Sequence, residues 1–350
     1  MNWINIPPAS PSNQCKFEAE IRQQDLTKPV GSLGELENIA ITLAALQKKS
    51  SPSCTNIHIT IFAADHGVAE ENVSAFPQSV TGEMIRNFSH GGAAISVLAR
   101  ELNASLEVIN LGTVTELEPL ENVKDCRLGN GTNNFTKFPA MNDQQVWNAI
   151  HAGRQAAERA KLEGADIFIG GEMGIGNTTS ATALASVLLD KPIEQLVGPG
   201  TGINEAQIAH KISIIKKAIA LHKNEMKEPI DVLSRLGGFE IAALAGSYLS
   251  CAKIGMPVLI DGFISSTAAL VAEKLSPGSK QWFLYSHQSA EPGHKLILNS
   301  LDAKSLLNIG MRLGEASGAA ATVPFIRLAC ALHNKMATFS QADVAKKKPT

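Results

Sequence analysis

Ala165-Asp166-Ile167-Phe168-Ile169-Gly170-Gly171-Glu172-Met173-Gly174-Ile175-Gly176-Asn177-Thr178-Thr179-Ser180-Ala181-Thr182-Ala183-Leu184 is the stretch whose reading decides the fold. Residues 165–170 read as a short buried strand, and Thr178 to Leu189 read as a helix. A glycine-rich turn between them lets bare backbone N–H groups face an anion at the positive end of the helix. The spacing approaches the triphosphate-binding pattern Gly-x-x-x-x-Gly-Lys-[Ser/Thr], but Asn177 stands where the lysine belongs. The dinucleotide pattern Gly-x-Gly-x-x-Gly also fails, because Thr179 holds the third glycine position. What survives is a turn suited to a single phosphate, with Glu172 at its mouth. The plainer alternative is an ordinary helix start capped by Asn177 or Thr178.

Outward from this stretch the chain alternates strand and helix. Upstream, Ile57 to Ala63 is a strand that ends in Ala64-Asp65-His66-Gly67, Leu106–Leu111 is a second, and Asn142 to Glu163 is a strong helix. Residues 112–141, polar and rich in Gly and Asn, read as a surface excursion with one short strand. Downstream come Gly198-Pro199-Gly200-Thr201-Gly202, a helix from Asn204 to Lys223 carrying Lys211, and a helix reaching about Lys253. A strand ending in Asp261-Gly262, a helix from Phe263 to Leu275 and a strand ending in Ser286-His287 follow. The segment Asn308–Gly318 opens a last helix running to about His333. The alternation predicts an α/β fold with a mostly parallel sheet flanked by helices. The strandless N-terminal and C-terminal segments are expected to form a small helical subdomain. The division is then 1–50 for the arm and small-subdomain helices, 51–335 for the large catalytic domain, and 336–350 for a tail.

Composition narrows the function. With 350 residues, 44% hydrophobic and 18% charged, the chain is globular and can bury a large core. The formal net charge of −2 and the lack of a basic stripe argue against nucleic acid as a partner. No apolar run is long enough for a membrane span, and the polar start is not a signal peptide. Five scattered cysteines (Cys15, Cys54, Cys126, Cys251 and Cys330) fit reduced thiols and a cytoplasmic location. No metal-ligand spacing occurs, so no metal and no cofactor are expected.

In a parallel sheet the strand ends share one edge, so Asp65, His66, Glu172, Asp261 and the strand end Ser286-His287 are candidates to line one cleft. For Asp65 and His66 a structural hydrogen-bonding role stands beside that reading. Glu315 precedes an apolar helix, flanked by Leu313 and Ala316. Partial desolvation there would raise its pKa and make it a better base. A favourable charge at a helix N-terminus is the alternative.

Several stretches together resemble the nicotinate-nucleotide–dimethylbenzimidazole phosphoribosyltransferase family. They are Thr27–Gly34, Ala64–Val68, Gly171–Thr179, Gly200–Gly202, Gly237–Ala242, Ser286–Glu291 and Arg312–Glu315, in the family's order over nearly the whole chain. The resemblance implies a Rossmann-like sheet with a small domain, a homodimer, and no metal. It implies transfer of phosphoribose from nicotinate mononucleotide to 5,6-dimethylbenzimidazole. It makes Glu315 the catalytic base and Glu172 a supporting carboxylate. It assigns Gly174, Gly176, Asn177, Thr178, Thr179, Gly200, Thr201, Gly202 and Lys211 to the nucleotide and its phosphate. Phe76, Gln78, Met84 and Leu313 are candidates for the acceptor pocket, with core packing as the alternative for Phe76 and Met84. Two departures from the family pattern stand out. Ala316-Ser317-Gly318 replaces Gly-Thr-Gly, and Pro199 stands where a basic residue is usual. The competing readings are a transferase of the same fold with another azole or phenolic acceptor, and a non-catalytic mononucleotide-binding protein.

Overall fold

The structure, a computed structural model, describes residues 2–200, 202 and 204–345. Its centre is a seven-stranded, wholly parallel sheet in the order β3-β2-β1-β4-β5-β6-β7. The strands are β1 (Ile57–Ala64), β2 (Ser105–Gly112), β3 (Val123–Asp125), β4 (Ile167–Met173), β5 (Val258–Ile260), β6 (Phe283–His287) and β7 (Ser305–Leu307). The helices are α1 (Asn13–Asp25), α2 (Glu35–Gln47), α3 (Ser79–Ser89), α4 (Ala94–Glu101), α5 (Asp143–Leu162) and α6 (Asn177–Leu189). They continue with α7 (Glu205–His222), α8 (Pro229–Leu236), α9 (Phe239–Ile254), α10 (Phe263–Leu275), α11 (His294–Ser300) and α12 (Ser317–Lys335).

Every residue of β1 is buried. Its run of Ile, Thr and Phe suits a strand covered on both faces. From β1 the chain builds β2 and β3 outward, then returns through α5 to place β4 on the other flank of β1. This reversal of strand order is the topological arrangement that opens a crevice at the carboxyl edge of a sheet.

Helices α5 and α9 cross with their backbones nearly touching. A Cβ at Gly153 would fall 1.8 Å from the Ala243 carbonyl oxygen, and one at Gly246 would fall 2.1 Å from that of Ile150. The short elements α8, α11 and β7 escape the sequence reading, since each is too brief for a periodicity to develop.

The two ends of the chain meet. Arg22 on α1 donates to the carbonyls of His333 and Asn334 at 2.5 and 3.0 Å, and Leu26 pairs with Thr338 in an isolated antiparallel bridge. These contacts support the small helical subdomain, which remains a proposal; the tail is described as far as residue 345. Among the described residues no helix is long and apolar enough to cross a membrane.

Candidate active site

A cavity of about 480 Å³ opens at the carboxyl ends of β4, β5 and β6. Strand β4 runs three residues past the sequence reading and carries Glu172 and Met173 into the cavity wall. The turn that follows is only Gly174-Ile175-Gly176. Gly176, at φ +99°, is the residue before α6, so neither Asn177 nor Thr178 caps the helix as the plainer reading expected. Gly174 is needed for close approach, because a Cβ there would lie 2.3 Å from the Ala64 carbonyl oxygen. Asn177 and Thr178, in the first turn of α6, reach the cavity. Thr179 and Gly176 do not, and the Thr179 hydroxyl is buried without a hydrogen-bond partner.

Glu315 sits on the turn just before the last helix, where the sequence reading placed it. Gly314, Glu315 and Ala316 all take left-handed backbone conformations, at φ +86°, +59° and +60°, and these delay α12 to Ser317. Two non-glycine residues in that region hold conformational strain of about 1–3 kcal/mol each. The Ser317 hydroxyl and N–H both donate to the Gly314 carbonyl, at 2.6 and 3.0 Å, and close the turn. Glu172 abuts the turn from below: a Cβ at Gly314 would meet its Oε1 at 2.4 Å. Asp261 fixes the helix start from β5 by accepting from the Ala319 N–H at 2.8 Å.

The carboxylates crowd one another. Glu315 lines the cavity yet is only 7% exposed, and its Oε2 has no hydrogen-bond partner. Burial, with the charge of Asp261 second, pushes its pKa up from 4.5 to about 7. Burial raises Glu172 well above the usual carboxylate range, and Glu240, Asp261 and Glu315 add to that; only the hydrogen bond donated by the Asn177 amide opposes it. Burial also raises Asp261, against the pull of His287 and of backbone N–H groups.

A stability prediction follows for Glu315. The folded chain holds this proton more tightly than the unfolded chain does, so stability falls as pH rises from 4.5 to about 7 and the loss is complete above that. The gap corresponds to about 3 kcal/mol. Glu315→Gln, neutral at every pH, is expected to match the wild type near pH 4.5 and to exceed it at pH 8.5. Urea midpoints at the two pH values measure this, and equal midpoints at pH 8.5 would count against a desolvated carboxylate.

The remaining site candidates divide. Lys211 is 1% exposed on α7 and donates to the Thr178 hydroxyl at 2.8 Å. Burial pulls its pKa down to about 8, against Glu291. Gly200 lines the cavity, Gly202 is not in its wall, and Thr201 lies outside the described residues. Phe76 and Leu313, more than half exposed, flank the mouth over an apolar wall that includes Met173, Phe263 and Ile264. Gln78 instead donates to the His66 carbonyl at 2.8 Å, and Met84 packs against the core; neither lines the cavity.

Of the cleft candidates, Asp261 lines the cavity, whereas Asp65, His66 and Ser286 lie behind its wall. Segment 129–134 covers the end of β1, where the Thr132 N–H donates to the Asp65 carbonyl at 3.0 Å. The Asp65 carboxylate accepts from Thr81 and from the Val114 N–H, at 2.6 and 2.8 Å, and His66 contacts Glu240 at 2.6 Å. On β6 it is His287, beside Ser286, that reaches the cavity. Adjacent strand residues face opposite sides, and sequence alone does not say which side is the cleft. Ser289, Glu291 and Arg312 also line the cavity without having been singled out. Among the described residues no group of three His, Cys, Asp or Glu side chains is placed to hold a metal ion.

With this geometry in place, the comparisons with known proteins are specific. A family model described as "Phosphoribosyltransferase" matches residues 8–344. A nicotinate-nucleotide–dimethylbenzimidazole phosphoribosyltransferase of Pseudomonas putida KT2440 is 57% identical over 95% of each chain. One from Pseudomonas aeruginosa UCBPP-PA14 is 55% identical over 99% of this chain and 98% of its own. The crystal structure of CobT from Thermus thermophilus superposes with a TM-score of 0.92 at 40% identity, covering 95% of this chain and all of that one.

Proposed function

The chain belongs to the nicotinate-nucleotide–dimethylbenzimidazole phosphoribosyltransferase family, and from that premise we propose that its cleft transfers phosphoribose from nicotinate mononucleotide to 5,6-dimethylbenzimidazole. The products are α-ribazole 5′-phosphate and nicotinate. The observation that carries this reading is Glu315, a desolvated carboxylate facing the cavity with an unpartnered oxygen and a pKa near neutrality.

The chemistry asks for that group. The glycosidic nitrogen of the donor belongs to a cationic pyridinium, so the ring departs neutral and needs no acid. The acceptor imidazole must lose its N–H proton as its other nitrogen attacks C1′. Glu315 takes that proton, with a pKa matched to neutral pH. A single in-line displacement inverts β to α. The apolar mouth at Phe76 and Leu313 suits a flat dimethylated acceptor. The donor phosphate is assigned to the opposite end, at the first turn of α6 with Thr178, Gly200, Lys211 and Arg312, where a helix N-terminus and two cations favour an anion. Burial, reinforced by Glu240, Asp261 and Glu315, raises the Glu172 pKa and so favours its uncharged form beside Glu315. A non-catalytic binder would have no need of a desolvated base.

The five free cysteines support a reducing, cytoplasmic setting. A homodimer is retained from the resemblance. The test is incubation of the protein with both substrates and detection of α-ribazole 5′-phosphate by mass spectrometry. No product from folded protein would defeat the reading.

A further inference from the structure

At the donor end of the cleft, one acidic residue stands among groups suited to an anion. Glu291 follows β6 on the loop before α11, lines the cavity, and is only 7% exposed. Its Oε1 accepts from the Gly200 N–H at 3.1 Å, and its Oε2 lies 1.9 Å from where a Cβ on Gly198 would be. Arg312 grips the same residue from the other side, donating to the Gly200 carbonyl at 3.1 Å. Gly200 is thereby pressed onto Thr178: a Cβ on it would meet the Thr178 hydroxyl oxygen at 2.9 Å. That hydroxyl in turn accepts from Lys211, which is itself absent from the cavity wall. The lysine is therefore covered, by a segment that a carboxylate holds in place.

Glu291 is the charged neighbour that acts on the Lys211 amine, and it favours the ammonium form. Burial pushes the Glu291 pKa up, and Lys211, the Gly200 N–H and Arg312 in turn pull it back toward the ionised form. Glu291 is thus the carboxyl group set between Lys211 and Arg312 at this end of the cleft, and it occupies the Gly200 N–H.

We propose that Glu291 is a positioning residue of the donor site, an internal carboxylate that a phosphate monoester must displace from the Gly200 N–H to reach Lys211. The proposal rests on the assignment of the donor phosphate to this end of the cleft. A nucleoside without phosphate does not compete with the carboxylate, so the latch lowers affinity only for ligands that carry the phosphate. The phosphate-bearing product meets the same competitor, so Glu291 also weakens product retention. Glu291 makes no contact with the reacting carbon in this account and acts through Gly200 and Lys211.

The test compares wild type, Glu291→Gln and Lys211→Met. Glutamine keeps an acceptor for the Gly200 N–H but removes the charge. Inorganic phosphate binding by calorimetry is the first readout, with steady-state KM values as the second. Glu291→Gln is expected to bind phosphate about tenfold more tightly, the scale of one partly screened like-charge interaction. KM for nicotinate mononucleotide and the inhibition constant of the product should fall together, with KM for dimethylbenzimidazole unmoved. Damage to the fold would weaken both substrates, so selective tightening separates positioning from a structural role. If Lys211→Met abolishes phosphate binding while Glu291→Gln leaves it at the wild-type value or weaker, the donor site stands and the role of Glu291 falls. If Lys211→Met leaves phosphate binding untouched, the donor-site assignment fails and this proposal goes with it.

Discussion

Glu315→Gln is expected to lower kcat by about 10²–10⁴-fold, the usual worth of a positioned general base, while nicotinate mononucleotide still binds. The amide preserves the shape of the side chain and the left-handed turn that presents it, so the loss isolates proton abstraction. In the wild type the ionised carboxylate is the active form. Burial and Asp261 place its pKa at about 7, so kcat/KM should fall tenfold per unit as pH drops below that value and level off above it. The glutamine variant should lose this acidic limb. Steady-state rates from pH 5 to 9 measure both effects. Near-normal turnover, or an unchanged limb in the variant, would remove Glu315 from the role of base.

Gly153→Ala is expected to destabilise the protein by roughly 3 kcal/mol, at the upper end of overpacking costs. Helix propensity alone predicts the opposite sign, because alanine is favoured over glycine in a helix interior by about 1 kcal/mol. Packing decides here. The new Cβ would sit 1.8 Å from the Ala243 carbonyl oxygen and 2.8 Å from the Ser247 nitrogen, both backbone atoms of α9 that cannot turn aside. Helices α5 and α9 must therefore separate, exposing the buried face of α5 and the almost wholly buried α9. Urea unfolding gives the number. A variant as stable as the wild type would mean that the two helices do not cross in backbone contact.

The strand–turn–helix at 165–189 was legible because its two halves have different apolar patterns with glycine between them. Its internal boundary was not: Glu172 and Met173 look like turn residues beside Gly171 and Gly174, and hydrogen bonding to β1 makes them strand. Asp65 and His66 have the composition of a ligand-binding strand end. The segment 129–134, more than sixty positions along the chain, folds over the Asp65 backbone, while Thr81 and the Val114 N–H bind the Asp65 carboxylate and Glu240 contacts the His66 ring. Gly153 and Gly246 look like ordinary helix weaknesses until the partner helix is placed against them.

The sequence by itself determined the α/β class, the carboxyl edge of the sheet as the place of the site, and Glu172 as a residue of the cleft, while Glu315 entered through the family resemblance. Apolar periodicity and glycine placement are local properties, and they survive any packing. Tertiary structure decided which face of each strand end meets the cleft, so that His287 lines it and Ser286 does not. It also decided the electrostatics. The raised pKa of Glu315 comes from burial and from Asp261, and Glu172 is shifted by burial and by Glu240, Asp261 and Glu315. Those residues come from β4, the end of β5, the start of α9 and the turn before α12, and only the folded sheet brings their charges together in a place that water does not screen.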